Sequence, residues 1–557
     1  MSASSAAISP PTPSQIASAV ASAMPADLSR SPLLGILGVV LGAGVVTLTG
    51  RMITLGLADL KGHLGIGFDD GAWIGTAFNT ALMFIGPFTV YVGGLLGPRR
   101  VLLASAAAFT VICVFLPFVH GYSLLIFALV LAGLTSGTFY PLTLTFALRN
   151  IPLFYLPFTL ALYATFVDGA VNIAPSLYGW YRDHLSWHWM FWNSAWITPL
   201  MMLCIYYGIP AAPKRKGGAA PSFAGFLYAS AGFAALFAAL DQGERLDWWR
   251  SGLFTSLVAV GCFFLICSLI RRFRGPNPLV DLPYLRYRNT LLLGVALIFF
   301  RFGLLSTAVL VPQSLAIRGF EADQIGPAVI WTALPQFLIA FIAAMLLLSK
   351  IDSRLLMACG FAGMAFACFL NANFTTAWSA ANYHRTELLM GVGQSFAFIG
   401  LVATIVLQAV FSGGLSKPQW ALTFSAFFHV VRLFGGEIGV SFMTYFLSDR
   451  EKLHSNLLGL HVQRGSWISD LSLRQLTAGM YDKSAGLPQA VARAADLVGA
   501  RLRLQAYALA INDAYQAVAW GCVVALLLIV FMRRAPLDYG DLSAVPQRPA
   551  TREEAHA

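Results

Sequence analysis

Runs of about twenty apolar residues, each long enough to cross a hydrocarbon layer about 30 Å thick, recur along this chain and constrain its fold more than anything else in it. Fourteen are counted, near 33–57, 72–96, 101–120, 122–147, 156–180, 189–209, 223–241, 252–270, 290–312, 326–348, 355–372, 386–411, 421–447 and 513–532. They are called spans 1 to 14 below. Backbone amides inside lipid must find partners within their own segment, so such runs fold as helices. The balance of residue types agrees: 58% are hydrophobic and 11% charged, against about 25% charged in soluble domains. The expected fold is an all-α membrane protein with fourteen transmembrane helices.

An even number of spans puts both termini on one side of the membrane. Sixteen Lys and Arg residues fall in loops on the terminus side, among them Arg99, Arg100, Lys214–Lys216 and Lys417, against six in the short loops opposite. Basic residues stay inside, so both termini are expected in the cytoplasm of a cell inner membrane. The formal net charge of +11 therefore reads as orientation, not as a nucleic-acid surface. Residues 1–32 read as a flexible tail with a short surface helix around Gln15–Met24, and 533–557 as a second tail. Residues 448–512 lie between spans 13 and 14 and read as a small ordered cap with amphipathic patches such as Val491–Leu504. The seven cysteines show neither disulfide nor metal spacing. No Walker loop, dinucleotide fingerprint or metal cluster occurs, so ATP is not the expected driver, and no cofactor and no enzymatic activity are expected.

A charge near the centre of a membrane helix costs roughly 2.5–3.5 kcal/mol even on a lenient scale. Such residues stand out: Arg51 in span 1, Asp168 in span 5, Arg301 in span 9, and His429, Arg432 and Glu437 in span 13. Asp168 and then Glu437 are the candidate proton carriers, because a desolvated carboxyl set against an arginine can be poised between two states. Arg51, Arg301, His429 and Arg432 are candidates for the substrate pathway. His429 and Arg432, three residues apart, share a helical face, and Arg51 is expected to pair with Asp168. Three arginines against two acids leave the path slightly positive, which favours an anionic or amphipathic small molecule. Asn79, Asn172, Gln336, Gln394 and Gln408 read as glue between helices. Pro141, Pro175 and Pro335 mark sites where helices can kink.

Several stretches resemble the EmrB/QacA type of fourteen-span drug:proton antiporter within the major facilitator superfamily. Leu240-Asp241-Gln242-Gly243-Glu244-Arg245-Leu246-Asp247-Trp248 is similar to the family's L-D-x-G-x-x-L-D-W turn. Asn277-Pro278-Leu279-Val280-Asp281-Leu282 with Arg288-Asn289, Val311-Pro312-Gln313 with Gly319-Phe320, and Arg432 with Gly436, Gly439, Arg450 and His454 extend the likeness. Elsewhere the chain departs from it. The acid of the loop after span 2 is missing from Val92–Arg100, Ala128 stands for an arginine in span 4, and Ala174–Gly179 is a reduced antiporter signature. Thr49 replaces a buried aspartate of span 1. The resemblance implies a 6 + 2 + 6 plan: a six-helix bundle over 33–209, two inserted helices within 210–289, and a second bundle over 290–532. It implies proton-coupled efflux of drugs or organic acids by alternating access, feeding a periplasmic adaptor and an outer-membrane channel. Organic-anion uptake by symport is the alternative on the same fold, and a membrane-embedded sensor or enzyme a distant one.

Overall fold

A computed structural model describes residues 31–211, 222–274, 288–411, 418–463, 465–535 and 538–543. The expected surface helix at Gln15–Met24, the Asn277–Leu282 motif and the basic residues Lys214–Lys216 and Lys417 lie outside them. Every regular element among the described residues is helical. Thirteen helices are long and apolar enough to cross a membrane. A fourteenth, Trp189–Gly208, has 20 residues, packs along spans 1 and 3, and stands where span 6 is expected. Its Trp189, Trp192, Trp196, Tyr206 and Tyr207 have rings that are apolar in body and polar at one tip, which makes it less apolar than its neighbours. Lipid replaces water around this bundle, so large side chains such as Trp196, Phe127, Leu338 and Phe341 stay exposed on its flanks at no hydrophobic cost.

Prolines act where a freed carbonyl has room to find another partner. Span 4 is split into Tyr122–Ser136 and Phe139–Asn150. Pro141 has no N–H to offer the carbonyl four residues back, that of Gly137, and the break falls there. Span 5 (Leu156–His184) and span 10 (Ala322–Leu348) run through Pro175 and Pro335 as continuous helices. Span 9 divides into Arg288–Gly303, a π-turn at Ser306–Leu310, and Val311–Ala316. Pro312 withholds the N–H that a regular helix would send to Ala308. Single π-turns inside a helix concentrate at functional sites.

The first six spans and the last six meet along two seams, span 5 against span 10 and span 2 (Phe68–Leu96) against span 13. The inserted helices, Phe223–Gln242 and Gly252–Arg274, pack as a hairpin, with the first of them on spans 2 and 13. Span 5 and span 10 approach backbone to backbone at the face opposite the termini. A Cβ added at Gly179 falls 2.8 Å from the Asp323 Cα and 2.9 Å from its nitrogen. Gly179→Val is therefore expected to spread this seam and raise several-fold the labelling of a Ser176→Cys variant by a membrane-impermeant maleimide, measured above the native cysteines; unchanged labelling means that span 10 yields without opening.

The region 448–512 is built largely from continuations of the two spans that flank it. Span 13 continues as one 42-residue helix, Pro418–Gly459, and span 14 begins at Leu487 as a 44-residue helix ending at Val530. At about 1.5 Å per residue each is roughly twice as long as the bilayer core is thick. Between them lies Trp467–Tyr481. Asp513 ties the two long helices together, accepting from His454 at 2.9 Å and facing Arg450 at 3.8 Å.

Candidate functional site: buried charges at the seam of the two halves

Span 5 carries Asp168 into the middle of the bundle at 2% exposure, with neither carboxylate oxygen accepting a hydrogen bond. The charges acting on it come from the other half, Arg301 of span 9 and Arg432 of span 13. The expected partner is different: Arg51 and Asp168 form no ion pair among the described residues. Arg51 instead donates from Nη2 to the Ala308 carbonyl at 2.6 Å, the one that Pro312 would leave unpaired in a regular helix. A guanidinium seeks a concentrated acceptor, and a proline-freed carbonyl supplies one.

Arg432 lies over the ring of Tyr140 of span 4, its guanidinium carbon 3.9 Å from the ring centroid. The His429 ring is 4.9 Å from the same tyrosine and sits against Gly86 of span 2. One aromatic residue thus receives both members of the i, i+3 pair. The Tyr140 hydroxyl in turn bonds Thr47 of span 1. Arg301 runs beside Gly436, where a Cβ would come within 2.8 Å of Nη2. Spans 1, 4, 5, 9 and 13 therefore meet on Asp168, Arg301, Arg432 and Tyr140. Thr49 turns away, bonding Ser194 of span 6 at 2.6 Å.

The amides form a lattice beside this cluster. Asn172 donates to Gln394 at 3.0 Å, Gln336 reaches the same oxygen at 3.4 Å, and Gln394 donates to Thr307 of the π-turn at 3.0 Å. Four helices from both halves are joined by one glutamine. Gln408 accepts from Asn289 at 3.3 Å near the terminus face.

Glu437 stands apart from Asp168, next to Asp241 of the inserted hairpin. Three contributors were not among the residues singled out for chemistry above. Asp241 looks like a loop residue at the end of a span. Tyr140 is one aromatic among 42 Phe, 18 Tyr and 13 Trp. Glu387 lies at the expected edge of span 12, but the helix begins earlier, at Ala380. That places Glu387 at 0% exposure, bonded by Thr332 at 2.8 Å and Asn371 at 3.3 Å.

Contacts close the path at both ends. On the cap side Arg182 bridges to Glu321 at 2.8 Å and Asp323 at 3.4 Å, and the Tyr178 hydroxyl donates to Asp59. On the terminus side Thr145 of span 4 donates to Ser425 of span 13 at 3.1 Å, and Leu422 fills the space beside Gly93. The short helix Tyr539–Ser543 adds to this: Tyr539 donates to the Ala403 carbonyl at 2.8 Å. Asp541 meets Lys350 at 2.6 Å, a hydrogen bond that holds its carboxyl below the usual carboxylate range. Buried charge enclosed between two breakable seals is the arrangement of a membrane carrier with its binding region near the midplane.

Residues 39–440 match the sequence profile of the Major Facilitator Superfamily. The fatty acid resistance protein FarB of Neisseria gonorrhoeae is 26% identical over 418 residues, which cover 72% of this chain and 78% of that one. The multidrug export protein EmrB of Haemophilus influenzae is also 26% identical, over 497 residues, 88% of this chain and 93% of its own. Among solved structures, the proton:xylose symporter XylE superposes with a TM-score of 0.53 at 13% identity, covering 92% of this chain and 98% of that one. The human organic anion transporter MFSD10 gives 0.51 at 12%, covering 90% and 99%. At these identities the two structures establish the fold alone. The profile runs through most of the chain, from span 1 through the inserted hairpin into span 13, and the chain belongs to the Major Facilitator Superfamily.

Proposed function

We propose that this protein is a secondary active exporter that moves amphipathic organic acids outward in exchange for protons, by alternating opening of its two seals. The observation that carries the reading is Asp168: a carboxyl at mid-membrane with no hydrogen-bond donor, faced by two arginines of the opposite half. Such a group exchanges a proton whenever the seam opens to water, and its charge changes the attraction between the halves. Arg51, Arg301 and Arg432 give the path its positive balance, and an acidic headgroup is their natural counter-ion. The relatives named for fatty acid resistance and multidrug export support export over uptake.

The excess of basic residues on the terminus side supports an inner-membrane orientation with both termini in the cytoplasm. The two long helices then rise into the periplasm. There Trp467 is 76% and Ile468 71% exposed, an apolar tip in water that suits a periplasmic adaptor leading to an outer-membrane channel.

The test is transport by the purified chain in liposomes. With an imposed pH gradient, labelled oleate is expected to accumulate against its own gradient, and an uncoupler to abolish the accumulation. Arg51→Ala and Arg301→Ala are each expected to cut oleate transport about tenfold, since one charge-assisted hydrogen bond is worth about 1.5–3 kcal/mol, with less effect on a neutral drug. Equal losses for both compounds would remove the acid preference, and accumulation indifferent to the pH gradient would remove the proton coupling.

A further inference from the structure

Glu437 and Asp241 raise a problem of hydrogen counting. Glu437 of span 13 is 9% exposed, and its Oε1 is buried with no donor. What lies beside it is a second acid, Asp241: Ser441, one turn along span 13, reaches the Leu240 carbonyl at 2.9 Å, so the two carboxyl-bearing segments are fastened together. Two ionised carboxylates have no hydrogen to place between them. One proton resolves both the missing donor and the repulsion, as in other carboxyl pairs.

The surroundings hold the pair in place without neutralising it. Asp241 accepts from the Thr76 hydroxyl of span 2 and from Gln242 at 3.4 Å. Gln242 also donates to Thr76 at 2.5 Å and to the Ala72 carbonyl at 3.2 Å. Two cations are near. Arg301 faces Glu437 from span 9. Arg245 of the hairpin turn is already engaged by Asp69 at 2.9 Å and Gln242 at 2.5 Å. Asp241 is half-buried and lies toward the cap face, which gives the pair a way to water. Arg301 interacts with both Glu437 and Asp168, so a change of charge at the pair is felt at the central carboxyl.

The geometry points to Asp241–Glu437 as a one-proton carboxyl pair, a second proton site of this transporter built between the inserted hairpin and span 13. The pair takes its proton from cap-side water, and returning it leaves two anions that push span 13 and the hairpin apart. This role rests on the proton-driven reading above, but the pair itself is tested without transport.

Infrared spectra of the purified full chain at neutral pH report protonated carboxyl groups by their C=O stretch. Asp241→Asn and Glu437→Gln each supply an amide donor to the remaining carboxylate and are each expected to remove the signal of one protonated carboxyl. The double variant is expected to remove no more than either single. Thr76→Val, which takes a donor from Asp241 and leaves both acids, is expected to keep the signal and move its midpoint to higher pH. A signal unchanged in whichever single variant folds, or twice as much lost in the double, overturns the pair. Loss of the signal in a protein that proves not to couple protons to transport would sink the proton-driven reading and leave the pair standing.

Discussion

Asp168→Asn is expected to cut uphill accumulation about tenfold while leaving exchange of labelled for unlabelled substrate nearly intact. The size of the effect follows from the energy carried by one proton. One pH unit is worth about 1.4 kcal/mol, so a gradient of about one unit sustains roughly a tenfold concentration ratio for each proton exchanged. Asparagine has nearly the shape of aspartate but binds no proton. The carrier can still open and close around its substrate, yet the proton taken by Asp168 no longer ties that cycle to the gradient, and its roughly tenfold share of the ratio is lost. Exchange needs no net proton movement, so it survives. If both modes fail together in a folded protein, Asp168 serves substrate binding or packing and the coupling lies elsewhere. If both persist, the carboxyl is a bystander.

Arg432→Ala is expected to cost the most stability of any single change at the site. Its guanidinium lies on Tyr140 at 3% exposure and faces Asp168. Removing one partner of a buried charge interaction costs up to about 3–5 kcal/mol, and Asp168 is left with Arg301 alone. Detergent-solubilised Arg432→Ala should therefore unfold at markedly lower temperature and lose oleate transport. Adding Asp168→Asn should recover part of the stability, since the under-compensated anion is then gone; strictly additive losses would mean that the two groups do not interact. Arg432→Lys should not restore the wild type, because an ammonium carries the charge but is not planar.

The membrane class, the fourteen segments and the short list of costly residues follow from the chain alone. Each is a local property: apolar length against bilayer thickness, and isolated charges against an apolar background. Pro312 is also local: with no N–H it cannot serve the Ala308 carbonyl of a regular helix. What local properties leave open is which freed group meets which charge. Arg51 and Asp168 share one half of the molecule and pairing them looked natural, yet each finds its partner in the other half, Arg51 at Ala308 and Asp168 at Arg301 and Arg432.

The same limit explains Asp241 and Glu387. Hydropathy fades gradually at the end of a span, so an acid there reads as wet, and only the packing of neighbouring helices decides whether water reaches it. The length of spans 13 and 14 was hidden in a related way, because hydropathy falls at the edge of the bilayer while the helix continues past it. The chain by itself determined that this is a helical membrane protein with charges it must hide; the tertiary structure decided which of those charges hide together. The reason is physical: burial is a property of surfaces brought together from distant parts of the sequence, and no single segment carries it.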